Sequence, residues 1–134
     1  DEAGSKFNTA ELLDGETPVV ISFWAMTCKP CITELDAISE LYPDWTEDVN
    51  FKMVAVSIDD NRFTTKARSF AQGRGWSDFI LLYDKKKDFA RALNVSVTPQ
   101  VFVFDAKGKI IYSHTGYTPG SEESIYKALL EIQK

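Results

Sequence analysis

Val19-Val20-Ile21-Ser22-Phe23-Trp24-Ala25-Met26-Thr27-Cys28-Lys29-Pro30-Cys31 is the stretch on which the reading of this chain turns. Its first six residues are β-branched and aromatic and follow Pro18, the pattern of a buried strand. A short turn then places Cys28 at the N-terminal edge of a helix. Unpaired backbone N–H groups and the positive end of the helix dipole favour a thiolate there. Two intervening residues let the second sulfur reach the first across one helical turn. The pair can therefore cycle between dithiol and disulfide, and C-x-x-C in a β-α-β setting reads as a redox site.

Zinc ligation and a structural disulfide compete with that reading. Structural zinc takes four ligands; the chain offers no third cysteine and a single histidine, His114. A bridge between residues three apart closes almost no loop, so by the chain-entropy account it stabilises little. Redox chemistry is the preferred reading, with no metal.

The chain has 134 residues, enough for one domain over 1–134 with a full-sized core. Its nine Phe and three Trp mark it as globular. The net charge of −5, with acids and bases interspersed, argues against a nucleic-acid surface. No apolar run is long enough to span a membrane. Asp1-Glu2-Ala3-Gly4-Ser5 lacks the pattern of a signal peptide. A leader or anchor, in an exported protein, is expected to be processed away or to lie outside these residues. Asn94-Val95-Ser96 matches a glycosylation acceptor, a triplet too frequent to carry weight.

Beyond Cys28, Ile32, Leu35, Ile38 and Leu41 recur at helical spacing, and Pro43 is expected to end that helix. A second strand is read over 51–58. Asp59-Asp60-Asn61 offers N-cap chemistry for a helix over 61–72 bearing Phe63, Ala67 and Phe70, stopped by Gly73 and Gly75. A short strand over 79–83 and a short helix over 86–93 follow, with Asn94 as C-terminal stop. Strands over 101–104 and 109–112 flank the Gly108-containing turn. A last helix over 121–132 presents Ile125, Ala128, Leu129 and Ile132 on one face. The order β-α-β-α-β-α-β-β-α implies an α/β fold, a mixed sheet with helices on both faces.

Phe23-Trp24-Ala25-Met26-Thr27-Cys28-Lys29-Pro30-Cys31 resembles the thioredoxin signature F-W-A-x-W-C-x-P-C. Thr98-Pro99 looks like that family's cis-proline loop, and Gly116 like the glycine that closes its site. The stretch from Cys31 to Pro99 is longer than in minimal thioredoxins. The extra helix–strand segment, about 60–84, is similar to that of the TlpA/ResA-like extracytoplasmic bacterial thiol–disulfide oxidoreductases. Glu34 matches a glutamate common in that group, in Cys-x-x-Cys-x-x-Glu. The group's N-terminal hairpin is largely missing; residues 7–15 read as a brief lead-in. A peroxiredoxin motif would need Pro at 21 and Thr at 25, where the chain has Ile21 and Ala25.

The resemblance implies a thioredoxin-like fold and disulfide exchange with protein substrates in the periplasm or cell envelope. It favours a reductive role, keeping cysteines of apocytochromes or other envelope proteins reduced. A membrane or soluble thiol reductant would act upstream of a monomer without cofactor. A binding module with little turnover and a disulfide oxidant are the alternatives. Two positions depart from the family pattern. Ser22 stands where thioredoxins bury an aspartate, and Thr27 replaces the tryptophan before the first cysteine, removing an aromatic surface from the substrate groove.

Cys28 is expected to be the partly exposed nucleophile, with Lys29 adding positive charge, and Cys31 the buried resolving thiol. Pro30 suits a first helical turn. Cys31, Glu34, Leu35 and Ile38 fall at i, i+3, i+4 and i+7, so Glu34 lies on or beside the buried face. It could shuttle the Cys31 proton, or be an exposed acid favoured by the helix dipole. If the bond before Pro99 is cis, the backbone of Thr98 would face an extended substrate segment. Trp24 is assigned to the core, Trp45 and Trp76 to core edges, and His114 to the surface.

Overall fold

The computed structural model describes residues 15–60, 62–74, 76, 78–84, 86–118 and 120–132. Its strands are β1 (Val19–Trp24), β2 (Lys52–Ser57), β3 (Ile80–Tyr83), β4 (Gln100–Phe104) and β5 (Ile110–Thr115). Its helices are α1 (Lys29–Asp48), α2 (Thr64–Gly73), α3 (Asp88–Ala92) and α4 (Glu122–Ile132). The strands form one sheet in the order β3-β2-β1-β4-β5. β1, β2 and β3 are parallel; β4 runs antiparallel to β1, and β5 to β4. The mixed α/β sheet is the one expected, with the inserted strand at its edge beside β2.

Strand alternation divides the core in two. Val20 and Trp24 face the side that holds Leu35 and Ile38 of α1, Ala67 of α2 and Ile125 and Leu129 of α4. Val19, Ile21 and Phe23 face the other side, with Val54, Val56, Phe102 and Ala90 of α3. A slip of one residue in β1 would exchange these two sets, so the register is strongly specified.

α1 runs through Pro43 to Asp48, where the sequence reading ended it. Proline gives the helix ladder no N–H and crowds the preceding turn. Contacts on the far side hold the last turn in place nonetheless. Trp45 is buried and stacks on Tyr126 with ring centroids 5.3 Å apart. The Tyr42 hydroxyl donates to the Phe51 carbonyl at 3.2 Å.

The inserted segment is fastened to α1. Trp76 meets Trp24 edge-on at 5.2 Å, and its indole N–H donates to Asp36 at 2.9 Å. Arg74 pairs with the same carboxylate. Trp76 and Trp45 therefore lie within the larger core cluster, inside the edges first assigned to them.

The helix start at α2 also differs from expectation. Phe63 is the N-cap and makes no side-chain cap bond. The carbonyl of Asp60 takes the N–H groups of Phe63 and Thr64, and its carboxylate takes that of Arg62. Asn61, Gly75 and the lead-in, Gly15 excepted, lie outside the described residues. Asn94 has φ +58° just past α3, the left-handed conformation of a helix stop. No helix among the described residues is long and apolar enough to cross a membrane.

Candidate active site

The site lies at the carboxyl ends of β1 and β2, where open α/β sheets commonly bind ligands. Cys28 is the N-cap of α1, partly exposed, and its Sγ accepts the N–H of Cys31 at 3.3 Å. Cys31 is fully buried one turn in, and the two sulfurs form a disulfide. The sulfur that faces solvent thus sits on the helix N-terminus, the position that stabilises negative charge. Thr27, Lys29 and Pro30 are exposed around it.

Hydrogen bonds at both ends fix the loop before Cys28. The Cys28 N–H donates to Ala25 O at 3.0 Å. The Met26 N–H donates to the Asp59 carboxylate at 3.1 Å, and the Ser57 hydroxyl donates to the same carboxylate at 2.6 Å. Asp59, read from sequence as helix-cap chemistry, instead anchors the active-site loop from the end of β2.

Pairing of Phe23 with Gln100 sets Thr98 and Pro99 at the same edge of the sheet as Cys28. The Thr98–Pro99 peptide bond is cis. Pro99 is buried and Thr98 partly so, while Val97 beside them is an exposed hydrophobic residue. The Gly116 N–H donates to Pro99 O at 2.8 Å. Gly116 holds φ +82°, which glycine adopts without strain.

Glu34 is fully buried on the face of α1 that carries Cys31. One carboxylate oxygen is 2.9 Å from Nε2 of His114, and Nδ1 of His114 is 2.9 Å from the Tyr112 hydroxyl. The His114 side chain is only 15% exposed. The sequence reading placed His114 at the surface because it ended the last strand at Tyr112. β5 extends to Thr115, and alternation then puts Tyr112 and His114 on one face. That alternation was the available signal. Among the described residues no group of three or more His, Cys, Asp or Glu side chains is placed to hold a metal.

Comparison with known proteins extends these observations. The profile of the Redoxin family matches residues 1–130. A thioredoxin-like protein from Porphyromonas gingivalis, solved in solution, superposes with a TM-score of 0.82 at 44% identity, covering 97% of this chain and 84% of that one. The thioredoxin-like protein YneN of Bacillus subtilis is 33% identical over 73% of this chain and 56% of its own length. The thiol-disulfide oxidoreductase ResA of Geobacillus kaustophilus is 29% identical over 73% of this chain and 54% of its own. The chain thus spans a little over half the length of these two curated relatives. A match that runs through nearly every element, insertion included, exceeds what a shared fold requires: the chain belongs to the Redoxin family, as a thioredoxin-like member of the TlpA/ResA type.

Proposed function

We propose that this chain is a thiol–disulfide oxidoreductase that reduces protein disulfides through Cys28 and Cys31. The observation that carries the reading is the asymmetry of the pair: one sulfur half-open at a helix N-terminus, the other buried behind it. In the reduced protein the Cys28 thiolate attacks a disulfide of the partner. A Cys28–partner disulfide forms, and one partner sulfur leaves as thiolate. Cys31, losing its proton to Glu34, then attacks Cys28 Sγ. The second partner sulfur leaves with its electron pair, and the Cys28–Cys31 disulfide remains. An upstream dithiol, membrane-bound or soluble, must return two electrons before the next cycle.

On this reading the substrate-binding surface is formed by Thr27 and Lys29, next to Cys28 in sequence, and by Thr98 and Pro99 at the same end of the sheet, with exposed Val97 supplying apolar contact. The TlpA/ResA resemblance supports action in a bacterial periplasm or cell envelope, on apocytochrome or other envelope-protein cysteines, by a monomeric domain.

Turnover of insulin disulfides with dithiothreitol as reductant tests the reading. Catalysis should disappear in Cys28→Ser. Cys31→Ala should accumulate mixed disulfides through Cys28, whereas Cys28→Ala should trap almost none. Unchanged insulin reduction in Cys28→Ser would instead indicate a binding module.

A further inference from the structure

Glu34 is an expensive residue to bury. Its Oε2 is bonded to His114, while Oε1 is buried with no hydrogen-bond partner among the described residues. A buried, unpaired carboxylate oxygen costs free energy unless something supplies a proton to it. Cys31 is three residues earlier on the same helix face, a spacing at which side chains meet. In the disulfide its sulfur carries no proton; on reduction it gains one. On the exchange reading above, we infer that His114 and Tyr112 are positioning residues that lock Oε2 of Glu34 and so hold Oε1 as the acceptor for the Cys31 proton.

The bonding is self-consistent. The Glu34 carboxylate can only accept, so Nε2 carries the proton and donates to Oε2, and Nδ1 of the neutral ring accepts from the Tyr112 hydroxyl. A histidine held by its second nitrogen in this way has its ring orientation determined. In the resolving step the Cys31 S–H bond breaks and an O–H bond forms at Oε1. The electron pair stays on sulfur, which attacks Cys28 Sγ and displaces the partner's thiolate.

Other ionisable groups border this chain. Tyr117, after β5, has its phenol pKa raised by burial, by its hydrogen bond to Glu122, and by the negative charges of Glu122 and Glu34. It stays protonated and does not compete as a base. On α4, Lys127 and Glu131 line, with Tyr112, a groove of about 460 Å³ that opens to solvent. Across β4 the residue paired with His114 is Val101, which does not titrate.

The test uses the reduced full chain and a peptide carrying one intramolecular disulfide. Acid-quenched single turnovers separate formation of the mixed disulfide from its release. His114→Ala should slow release by about tenfold or more, the scale of a general-base contribution, and leave alkylation of Cys28 unchanged. His114→Gln can still donate to Oε2. It should recover most of the rate. Tyr112→Phe keeps the ring but leaves Nδ1 without its donor, so the ¹⁵N shift of Nδ1 should move toward that of an imidazole nitrogen with no hydrogen bond. Should His114→Ala fail to fold, the glutamine and phenylalanine variants decide. Wild-type release in His114→Ala, release in His114→Gln as slow as in His114→Ala, or an unchanged Nδ1 shift in Tyr112→Phe overturns the inference. A wild-type protein that forms no mixed disulfide at all overturns the exchange reading instead.

Discussion

Ser22 is fully buried between Val20 and Trp24, and its hydroxyl has no partner among the described residues. At the position where thioredoxins bury a carboxylate, this chain holds a group with no proton to exchange at neutral pH. Removing an unsatisfied hydroxyl removes a desolvation penalty. Ser22→Ala is accordingly expected to leave exchange unchanged and to raise stability by up to about 1 kcal/mol. A loss of stability in chemical denaturation would show that the hydroxyl is paired. Asp59 is the opposite case. It takes hydrogen bonds from the Met26 N–H and the Ser57 hydroxyl, and Asp59→Ala would leave both donors stranded. The expected cost is about 2 kcal/mol, together with altered Cys28 alkylation as the loop loosens. An unshifted denaturation midpoint would remove Asp59 from the loop's support. The places of Cys28, Cys31 and Glu34 on α1 were legible from sequence because helix period and dipole are local properties. The partners of Glu34 and Met26 lie 80 and 33 positions away, and no local pattern encodes such a meeting.

At the scale of elements, apolar runs located every strand, and amphipathic spacing located α1, α2 and α4. The errors fell where tertiary contacts outweigh local chemistry. Pro43 reads as a stop, yet buried Trp45 beyond it keeps α1 going. His114 reads as a loop residue, yet pairing with β4 carries β5 past it. The inserted segment shows the same dependence. α2 is short and β3 has four residues, so neither is stable alone. Trp76 joins them to the core through Trp24, Phe70 and Phe79. Trp76→Ala should cost about 3–5 kcal/mol, the range for deleting a buried aromatic ring. Amide exchange in β3 and α2 should accelerate more than in β1. A loss under about 1 kcal/mol would mean that the insertion is held elsewhere.

At the scale of the whole molecule, the sheet gathers residues from four loops at one edge, and strand order achieves this. β1 lies between β2 and β4, so the loop after β1 bonds Asp59 from one neighbour, and the Thr98–Pro99 loop of the other begins at the same end of the sheet. Apolar periodicity is silent on strand order, which depends on contacts between distant segments. The same arrangement bears on the direction of electron flow, because redox poise reflects the relative stability of the dithiol and disulfide forms. Lys29 is exposed beside Cys28, and its charge stabilises the reduced, thiolate form, raising the reduction potential. For a reductant the potential should nonetheless lie below about −200 mV, toward the −270 mV of thioredoxin; a value near −120 mV would make the protein an oxidant. Lys29→Gln removes the favourable charge and should lower the potential. The shift should be small, roughly 10 to 20 mV, because water screens an exposed charge, and it should shrink further as salt is added. Equilibration with glutathione at two ionic strengths measures both effects. A potential that rises in Lys29→Gln would show that Lys29 does not act on the thiolate through its charge.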